Sequence, residues 1–393
     1  MQSFDQSPTD PVFVQDPYPL YDRMRAAGDL VYWSNFDKIC AVSHRAVTTI
    51  LKDRRFGREA PPEFARAIPD HLRPFYDIEA NSMLELEPPR HTKLRSLVMR
   101  AFTSRGISSL GPVITQLAND LIDQFPDGPF DIIDAFARPI PVIVICRLLG
   151  VPEDRASDLL RWSNDMVAMY QARRTPAIEA AAVAATLEFR AFLSDYIAAR
   201  RKAPKPDLLS ELIAAEADGQ KLTSDELIST VMVLLNAGHE ATVHTLGNGI
   251  KALIENGKPT VTTMTAEEVL RYDPPLHMFM RWVYEDVTLF GHDFKRGDEV
   301  GCLLASANRD PQVYSNPDTF IPSRTGPMNA SLGGGLHFCV GAPLARMEVH
   351  LALSALFNRC PNLRMTEPAT YADLYHFHGL DRLMVTTAAQ ASI

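Results

Sequence analysis

The feature that most constrains the fold is a glycine-rich loop around a single cysteine, which reads LGGGLHFCVGAPLAR over residues 332–346. Glycine lets the backbone adopt positive φ and approach a flat ligand without a Cβ in the way. A helix predicted over residues 342–357 follows directly, and the positive end of its dipole favours the thiolate form of Cys339. The segment therefore predicts a tight loop that presents one reactive sulfur at the start of a helix.

The cysteine count limits what that sulfur can do. The 393 residues include five scattered cysteines without paired short spacings, which argues against a disulfide framework and indicates a reducing compartment. A single thiolate with no second cysteine nearby suits one axial bond to haem iron rather than a tetrahedral zinc site. The alternative is a buried structural cysteine beside a glycine-rich turn, which is the usual state of a lone cysteine. The composition of the loop favours the ligand.

Composition excludes several classes of function. The net charge of −9 and the lack of basic runs argue against binding to nucleic acid or to anionic membranes. Residues 1–19 lack the pattern of a secretory signal, and the longest apolar run, residues 140–149, is short and contains Pro141 and Arg147. We therefore expect a cytoplasmic protein that does not bind a membrane.

The periodicity of apolar residues indicates a mainly helical chain. Helical patterns dominate residues 88–212, and a long helix then starts at Thr223, where Glu226 completes a capping-box pattern. The predicted strands are short, at residues 30–33, 39–42, 287–289, 298–304 and 382–386. We expect a single domain over residues 1–393 that is mainly α with a minor β portion.

The cysteine loop resembles the haem-binding loop of the cytochrome P450 family, in which an aromatic residue, glycines and a histidine precede the ligand cysteine. Leu332 departs from that pattern, because the family usually carries phenylalanine there. Glu268 and Arg271 resemble the Glu-x-x-Arg signature of the family, and the segment around Arg324 resembles the source of a second arginine. The resemblance implies the cytochrome P450 fold, a helical bundle around haem plus small sheets, with these charged residues as a buried structural network behind the cysteine loop.

Four further residues resemble family positions that bind the haem propionates, which need cationic or N–H partners. His91 and Arg95 lie one turn apart on a predicted helix. Arg281 follows the Glu-x-x-Arg segment, and His337 lies two residues before the cysteine. Each of the four taken alone is more often an ordinary structural or surface residue. Because all four match in chain order, the resemblance implies that they hold haem b together with Cys339.

The long helix contains the segment NAGHEAT, residues 236–242. Gly238 costs a helix about 1 kcal/mol relative to alanine, so it needs either a packing reason or a ligand reason; the functional interpretation is that the chain opens there beside bound dioxygen. The family usually carries an acid followed by an alcohol; here Glu240 is followed by Ala241, and the hydroxyl is displaced to Thr242. The resemblance implies that Glu240 relays protons and that a substrate hydroxyl, Thr242 or a water replaces the missing alcohol. A solvated or salt-bridged Glu240 is the alternative.

These features predict a haem-thiolate monooxygenase that inserts one oxygen atom from O2 into a small apolar or moderately polar organic substrate. Asn236 and His277 are candidate pocket residues, although such side chains more often satisfy neighbouring backbone groups. We expect a monomer that receives electrons from NAD(P)H through a ferredoxin and a ferredoxin reductase. The candidate docking residues are Arg100, Arg105 and Arg346. Two alternatives stay open: a peroxide-driven haem peroxygenase, and a non-catalytic haem-binding sensor or carrier.

Overall fold

The computed structural model describes residues 1–102, 104–171, 174–217, 222–375 and 377–388. Its helices, numbered α1 to α15 in chain order, are Pro11–Gln15, Tyr18–Ala27, His44–Lys52, Arg73–Glu79, Arg90–Ala101, Ser104–Ser108, Gly111–Ile122, Pro139–Leu149, Ala156–Val167, Pro176–Lys202, Leu208–Ala217, Ser224–Glu255, Thr263–Tyr272, Leu304–Ala307 and Ala342–Arg359. Its strands, numbered β1 to β13, are Ser3–Phe4, Leu30–Trp33, Lys38–Ala41, Phe56–Gly57, Phe130–Asp131, Met278–Val283, Val287–Leu289, His292–Phe294, Glu299–Leu303, Arg364–Met365, Thr370–Tyr371, Leu380–Arg382 and Met384–Thr386.

The chain divides into two compact units. The first unit contains Met1–Pro61, Ile114–Ile140 and Ala241–Ile393, and the second contains Pro62–Val113 and Pro141–Glu240. Every described strand belongs to the first unit, whereas the regular structure described in the second unit is helical. The prediction of a mainly α chain with a minor β portion is confirmed. That residues 1–393 form a single domain stays a prediction.

The largest sheet of the first unit has six strands in the order β1-β2-β3-β9-β6-β4. At its centre β9 pairs in parallel with β3 and antiparallel with β6, which places Cys40 opposite Gly301 and Arg281 opposite Val300. A Cβ on Gly301 would lie 2.9 Å from Cys40 Sγ, so any other residue would force the neighbouring side chains to shift. The sheet thereby fixes β6, which carries Arg281 and begins directly after His277. Smaller sheets have the orders β10-β13-β5, β11-β12 and β7-β8.

The long helix α12 begins as the sequence predicts. The Thr223 backbone N–H donates to Glu226 Oε2 at 2.8 Å, and the Glu226 N–H donates to Thr223 Oγ1 at 3.1 Å, which completes the capping box. The helix continues for 32 residues, and the boundary between the two units falls between Glu240 and Ala241. Within the described residues, no helix combines the length and the apolar character that a membrane crossing requires.

Of the two explanations for Gly238, the opening of α12 is wrong and the packing reason is confirmed. Residues 236–242 are continuous α-helix, so the glycine does not release the backbone there. Packing explains why residue 238 is glycine, because a Cβ on Gly238 would lie 3.0 Å from Ile145 Cγ1 and 3.1 Å from Ile145 Cδ1 on α8. The glycine therefore allows a close helix–helix contact at the cost of about 1 kcal/mol of helix propensity.

Candidate active site

The cysteine loop is as tight as its glycines suggest. Gly333 and Gly335 have φ of +73° and +65°, and a Cβ on Gly335 would collide with the carbonyl oxygen of Leu51. The Cys339 N–H donates to the Leu332 carbonyl at 2.9 Å and closes the loop, and α15 begins three residues later. The sequence therefore folds into a loop that presents one sulfur near a helix N-terminus.

Exposure distinguishes Cys339 from the other cysteines. Cys40, Cys146, Cys302 and Cys360 are buried, and burial raises the pKa of each thiol, to about 12 for Cys40 and Cys146. Such thiols stay protonated at neutral pH. Cys339 alone is half-buried. The half-buried cysteine, the glycine-built loop and the helix dipole together fit one thiolate bond to haem iron.

The predicted network behind the loop is present. Arg271 donates two hydrogen bonds to the Glu268 carboxylate, from Nε at 2.7 Å and from Nη2 at 2.8 Å. Arg324 Nε lies 3.0 Å from Glu268 Oε2, and the Ile321 N–H donates to Oε1 at 2.7 Å. Both carboxylate oxygens therefore have donors, and the three charged side chains are buried. This arrangement suits a folding element rather than a catalytic one.

Hydrogen bonds connect this network to the start of the cysteine loop. Arg271 Nη1 donates to the Asn308 carbonyl at 2.9 Å, and the Asn308 side chain accepts from the Ala330 N–H at 2.7 Å. The Asn308 amide also donates to Ser331 Oγ, which in turn donates to the Leu270 carbonyl. The residues that precede the loop are thus held by the same polar core that orders the end of α13.

The predicted propionate partners fall on both units. In the first unit, Arg281 is buried on β6 and donates to the Met280 carbonyl at 2.8 Å, and His337 ends a half-buried turn of 3₁₀-helix. In the second unit, His91 is buried and Arg95 half-buried on α5, one turn apart as expected.

A histidine that sequence reasoning missed lies beside Glu240 in the second unit. His239 Nε2 is 3.4 Å from Glu240 Oε2, while His239 Nδ1 is 2.8 Å from the Leu235 carbonyl. His239 is buried, and the Glu240 side chain is 16% exposed, so neither is a solvated surface residue. The sequence did not predict this contact, because side chains of consecutive residues on a helix normally point in different directions. The only signal was that the two residues are adjacent in the chain.

The position after Glu240 lacks a hydroxyl, as the sequence states. Thr242 is buried, and the Thr245 hydroxyl donates to the Ala241 carbonyl at 2.7 Å. Sequence reasoning missed Thr245, which lies one turn beyond Ala241. Its hydroxyl is already used by the backbone, as is common for threonine inside a helix.

The two candidate pocket residues have different surroundings. Asn236 Nδ2 lies 3.7 Å from Met166 Sδ, and Asn236 Oδ1 is buried with no hydrogen-bond partner in the described parts of the chain. His277 lies in the first unit, where its Nδ1 is 2.9 Å from the Tyr21 hydroxyl and its ring packs near His378. His277 therefore belongs to a buried polar cluster with aromatic neighbours.

Comparison with known proteins gives a consistent family. The sequence profile of "Cytochrome P450" matches residues 57–260 and 257–367. Cytochrome P450 monooxygenase PikC of Streptomyces venezuelae is 36% identical over 371 residues, 90% of this chain and 86% of PikC. Vitamin D(3) 25-hydroxylase of Pseudonocardia autotrophica is 37% identical over 399 residues, 97% of this chain and 96% of that protein. The structure of the Bacillus subtilis bacillaene polyketide synthase cytochrome P450 PksS superposes with a TM-score of 0.87 at 33% identity, covering 98% of this chain and all of PksS.

These relatives confirm the predicted fold and reaction class, and they give no support to the peroxygenase or carrier alternatives. The family uses haem b, O2 and electrons that pass from NAD(P)H through redox partners to oxidise an organic substrate. The cysteine loop, the Glu268 network and the matched profile agree. The chain therefore belongs to the cytochrome P450 family and is a haem-thiolate monooxygenase.

Proposed function

We propose that Cys339 supplies the thiolate ligand of haem b and that the enzyme oxidises a predominantly apolar organic molecule that carries a polar group. The observation that carries the proposal is that Cys339 is the one half-buried cysteine, on a loop that only glycines allow, just before α15. When bound, thiolate-ligated haem supplies the activation of O2 from which one oxygen atom reaches the substrate.

The same proposal assigns the haem propionates to four side chains, His91, Arg95, Arg281 and His337. Arginine offers a planar set of donors to a carboxylate, and a histidine offers an N–H, so the four suit two carboxylates. The support is the chemistry of the side chains and their order in the family pattern.

Glu240 and His239 are proposed to deliver protons on the oxygen side. His239 Nδ1 donates to the Leu235 carbonyl, which leaves Nε2 directed away from the helix backbone. This Nε2 has no hydrogen-bond partner within the described residues and lies 3.4 Å from Glu240 Oε2. His239 is thereby proposed to position Glu240 for proton transfer.

Ala241 leaves the proton path without its usual alcohol, and Thr245 does not replace it because its hydroxyl is bonded to the Ala241 carbonyl. We propose that Thr242, a substrate hydroxyl or a water completes the path. Ala241→Thr is then expected to change the ratio of oxidised product to hydrogen peroxide with the natural substrate. Ala237→Thr, one turn earlier at an exposed position, is the matched control. An unchanged ratio in Ala241→Thr contradicts this part of the proposal.

Asn236 is proposed to select the polar group of the substrate. Its amide oxygen is buried without a described partner, and a buried unsatisfied acceptor costs about 1–3 kcal/mol unless a ligand provides a donor. Its amide nitrogen contacts Met166, and methionine suits an adaptable apolar surface. A substrate with a hydroxyl or N–H on an apolar skeleton fits both features.

The finer partner assignments are also proposals. We expect a monomeric, cytoplasmic enzyme served by a ferredoxin and its reductase. Arg346 pairs with Glu267, so it is a weaker docking candidate than the exposed Arg100. The side chain of Arg105 lies outside the described residues. Turnover with ferredoxin and reductase, compared with peroxide alone, tests this assignment.

The ligand assignment is tested with Cys339→Ser. The reduced carbon monoxide complex is expected to lose the Soret band typical of thiolate ligation, whereas Cys360→Ser, which changes a buried cysteine on another loop, retains it. A thiolate-type band that persists in Cys339→Ser would overturn the assignment.

A further inference from the structure

Three side chains with metal-ligand chemistry converge in the interior of the first unit. Asp273, His277 and His378 are all buried, and one ligand atom from each lies within 4.8 Å of the others. His378 Nε2 is 3.5 Å from Asp273 Oδ1, and the two imidazole rings have centroids 4.5 Å apart. None of the three belongs to the residues assigned to haem or to proton delivery.

An unpartnered nitrogen gives an independent reason to expect a ligand. His277 is fully buried, and its Nε2 has no hydrogen-bond partner within the described residues. Its other nitrogen, Nδ1, is 2.9 Å from the Tyr21 hydroxyl. A hydrogen bond of this kind fixes the tautomer and the ring orientation of metal-binding histidines. In the tautomer that carries its proton on Nδ1, that nitrogen donates to Tyr21, and Nε2 presents a lone pair to the buried cluster.

The carboxylate is oriented in the same way. Asp273 accepts a hydrogen bond from the Tyr18 hydroxyl at 2.7 Å and another from the Tyr371 hydroxyl. Such outer contacts hold a ligating carboxylate in place while leaving further lone pairs available. The three residues therefore resemble a pre-oriented site more than an accidental cluster of polar groups.

The charges around the cluster indicate which cation would bind. Two imidazoles and one carboxylate are typical ligands of Zn²⁺, whereas Ca²⁺ and Mg²⁺ prefer oxygen. The Arg309 guanidinium lies 3.4 Å from the centroid of the Tyr18 ring and donates to the Tyr272 carbonyl, so it adds a positive charge nearby. This charge lowers the affinity for a cation but does not occupy a ligand position.

We propose that Asp273, His277 and His378 form a binding site for one Zn²⁺ ion or a similar transition-metal ion, with water as the fourth ligand. The three ligands come from the end of α13, from the residue before β6 and from the segment before β12. A bound ion would tie these segments together within the first unit. The site is separate from haem ligation, so its occupancy does not depend on the proposed function.

The test uses the haem-loaded enzyme after treatment with a chelator. Equilibrium dialysis against Zn²⁺ is expected to give one tightly bound ion per chain, and X-ray absorption at the zinc edge is expected to show imidazole and oxygen scattering without sulfur. His277→Gln and His378→Gln are each expected to weaken binding at least about ten-fold. His71→Gln, which changes a surface histidine, is expected to leave it unchanged.

Several outcomes would overturn the site. They are the absence of tight Zn²⁺ binding to the unmodified enzyme, sulfur scattering, and equal binding by His277→Gln, His378→Gln and His71→Gln. The binding and scattering measurements on the unmodified chain stand by themselves if the variants do not fold. Haem content is measured in parallel, so loss of haem is distinguished from loss of Zn²⁺.

Discussion

Two buried glutamates on neighbouring helices have opposite environments. Glu268 on α13 and Glu348 on α15 are 2% and 1% exposed, and the two helices pack together. Glu268 receives hydrogen bonds from two arginines and a backbone N–H. Burial raises the pKa of Glu348 to about 8 and is the sole cause of that shift among the described residues.

The difference shows that burial alone does not fix the charge of an acid. A carboxylate with cationic partners stays ionised because their attraction and hydrogen bonds replace hydration. A carboxyl group without them is more stable protonated in a medium of low dielectric. Glu268 therefore links α13 to two arginines and to a backbone N–H, whereas Glu348 is a largely neutral acid near neutral pH.

The largest effect on stability is expected when the Glu268 carboxylate is replaced. Glu268→Gln leaves Arg271 and Arg324 as buried cations without their counter-charge, at a cost of about 3–5 kcal/mol in the free energy of unfolding. Urea denaturation of the holoenzyme measures it, and haem retention is expected to fall as well. Glu267→Gln, which removes a partly exposed partner of Arg346, is the control and is expected to cost about 1 kcal/mol or less. Equal effects of the two variants would show that the Glu268 network is not a folding element.

A smaller effect on stability is expected when a substitution at Arg324 keeps the positive charge but loses the hydrogen-bond geometry of the guanidinium group. The Arg324 side chain also donates to the carbonyls of Ser315, Asn316 and Thr319. Lysine keeps the charge but cannot make these contacts together, so Arg324→Lys is expected to lower stability by about 1–3 kcal/mol. Arg382→Lys, at an exposed ion pair with Glu367, should change stability by less than about 0.5 kcal/mol. Chemical denaturation of both variants in one buffer measures their midpoints. Indistinguishable midpoints would show that the hydrogen-bond geometry of Arg324 does not contribute to stability.

The last effect concerns Glu348 and depends on pH, since it is absent where the carboxyl group is protonated in both states. Its folded-state pKa of about 8 lies above the usual value of 4.5, so between these values the folded chain binds a proton that the unfolded chain has released. The stability contributed by the protonated group is complete below the lower value and is lost as pH rises through the higher one. Glutamine resembles the protonated acid at every pH.

Glu348→Gln is therefore expected to match the unmodified enzyme at about pH 5 and to be more stable than it at about pH 9, where the carboxyl group is ionised in the folded and unfolded chains alike. Thermal unfolding across this range measures the difference. Glu255→Gln, at a surface pair with Lys251, should show no such pH dependence. A constant difference between Glu348→Gln and the unmodified enzyme would mean that this carboxyl does not change its protonation on unfolding.

Local patterns predicted local structure well. The capping box at Thr223 and Glu226 and the helix after Cys339 were predictable because their determinants lie within a few residues of one another. The Glu268, Arg271 and Arg324 network was predictable only through the family resemblance, since Arg324 lies far along the chain. The prediction of an opening at Gly238 failed because its packing partner, Ile145, is also distant in sequence.

The sequence by itself determined the glycine-rich loop around one cysteine, the missing alcohol at Ala241, the mainly helical class and the family. These properties follow from residue identity and short spacings, which need no knowledge of distant contacts. The tertiary structure alone decided which buried acid has cationic partners, that His239 lies beside Glu240, and that Asp273, His277 and His378 meet. Charge state and ligand geometry depend on the dielectric surroundings and on neighbours brought from remote segments, so folding has to assemble them before they can be assigned.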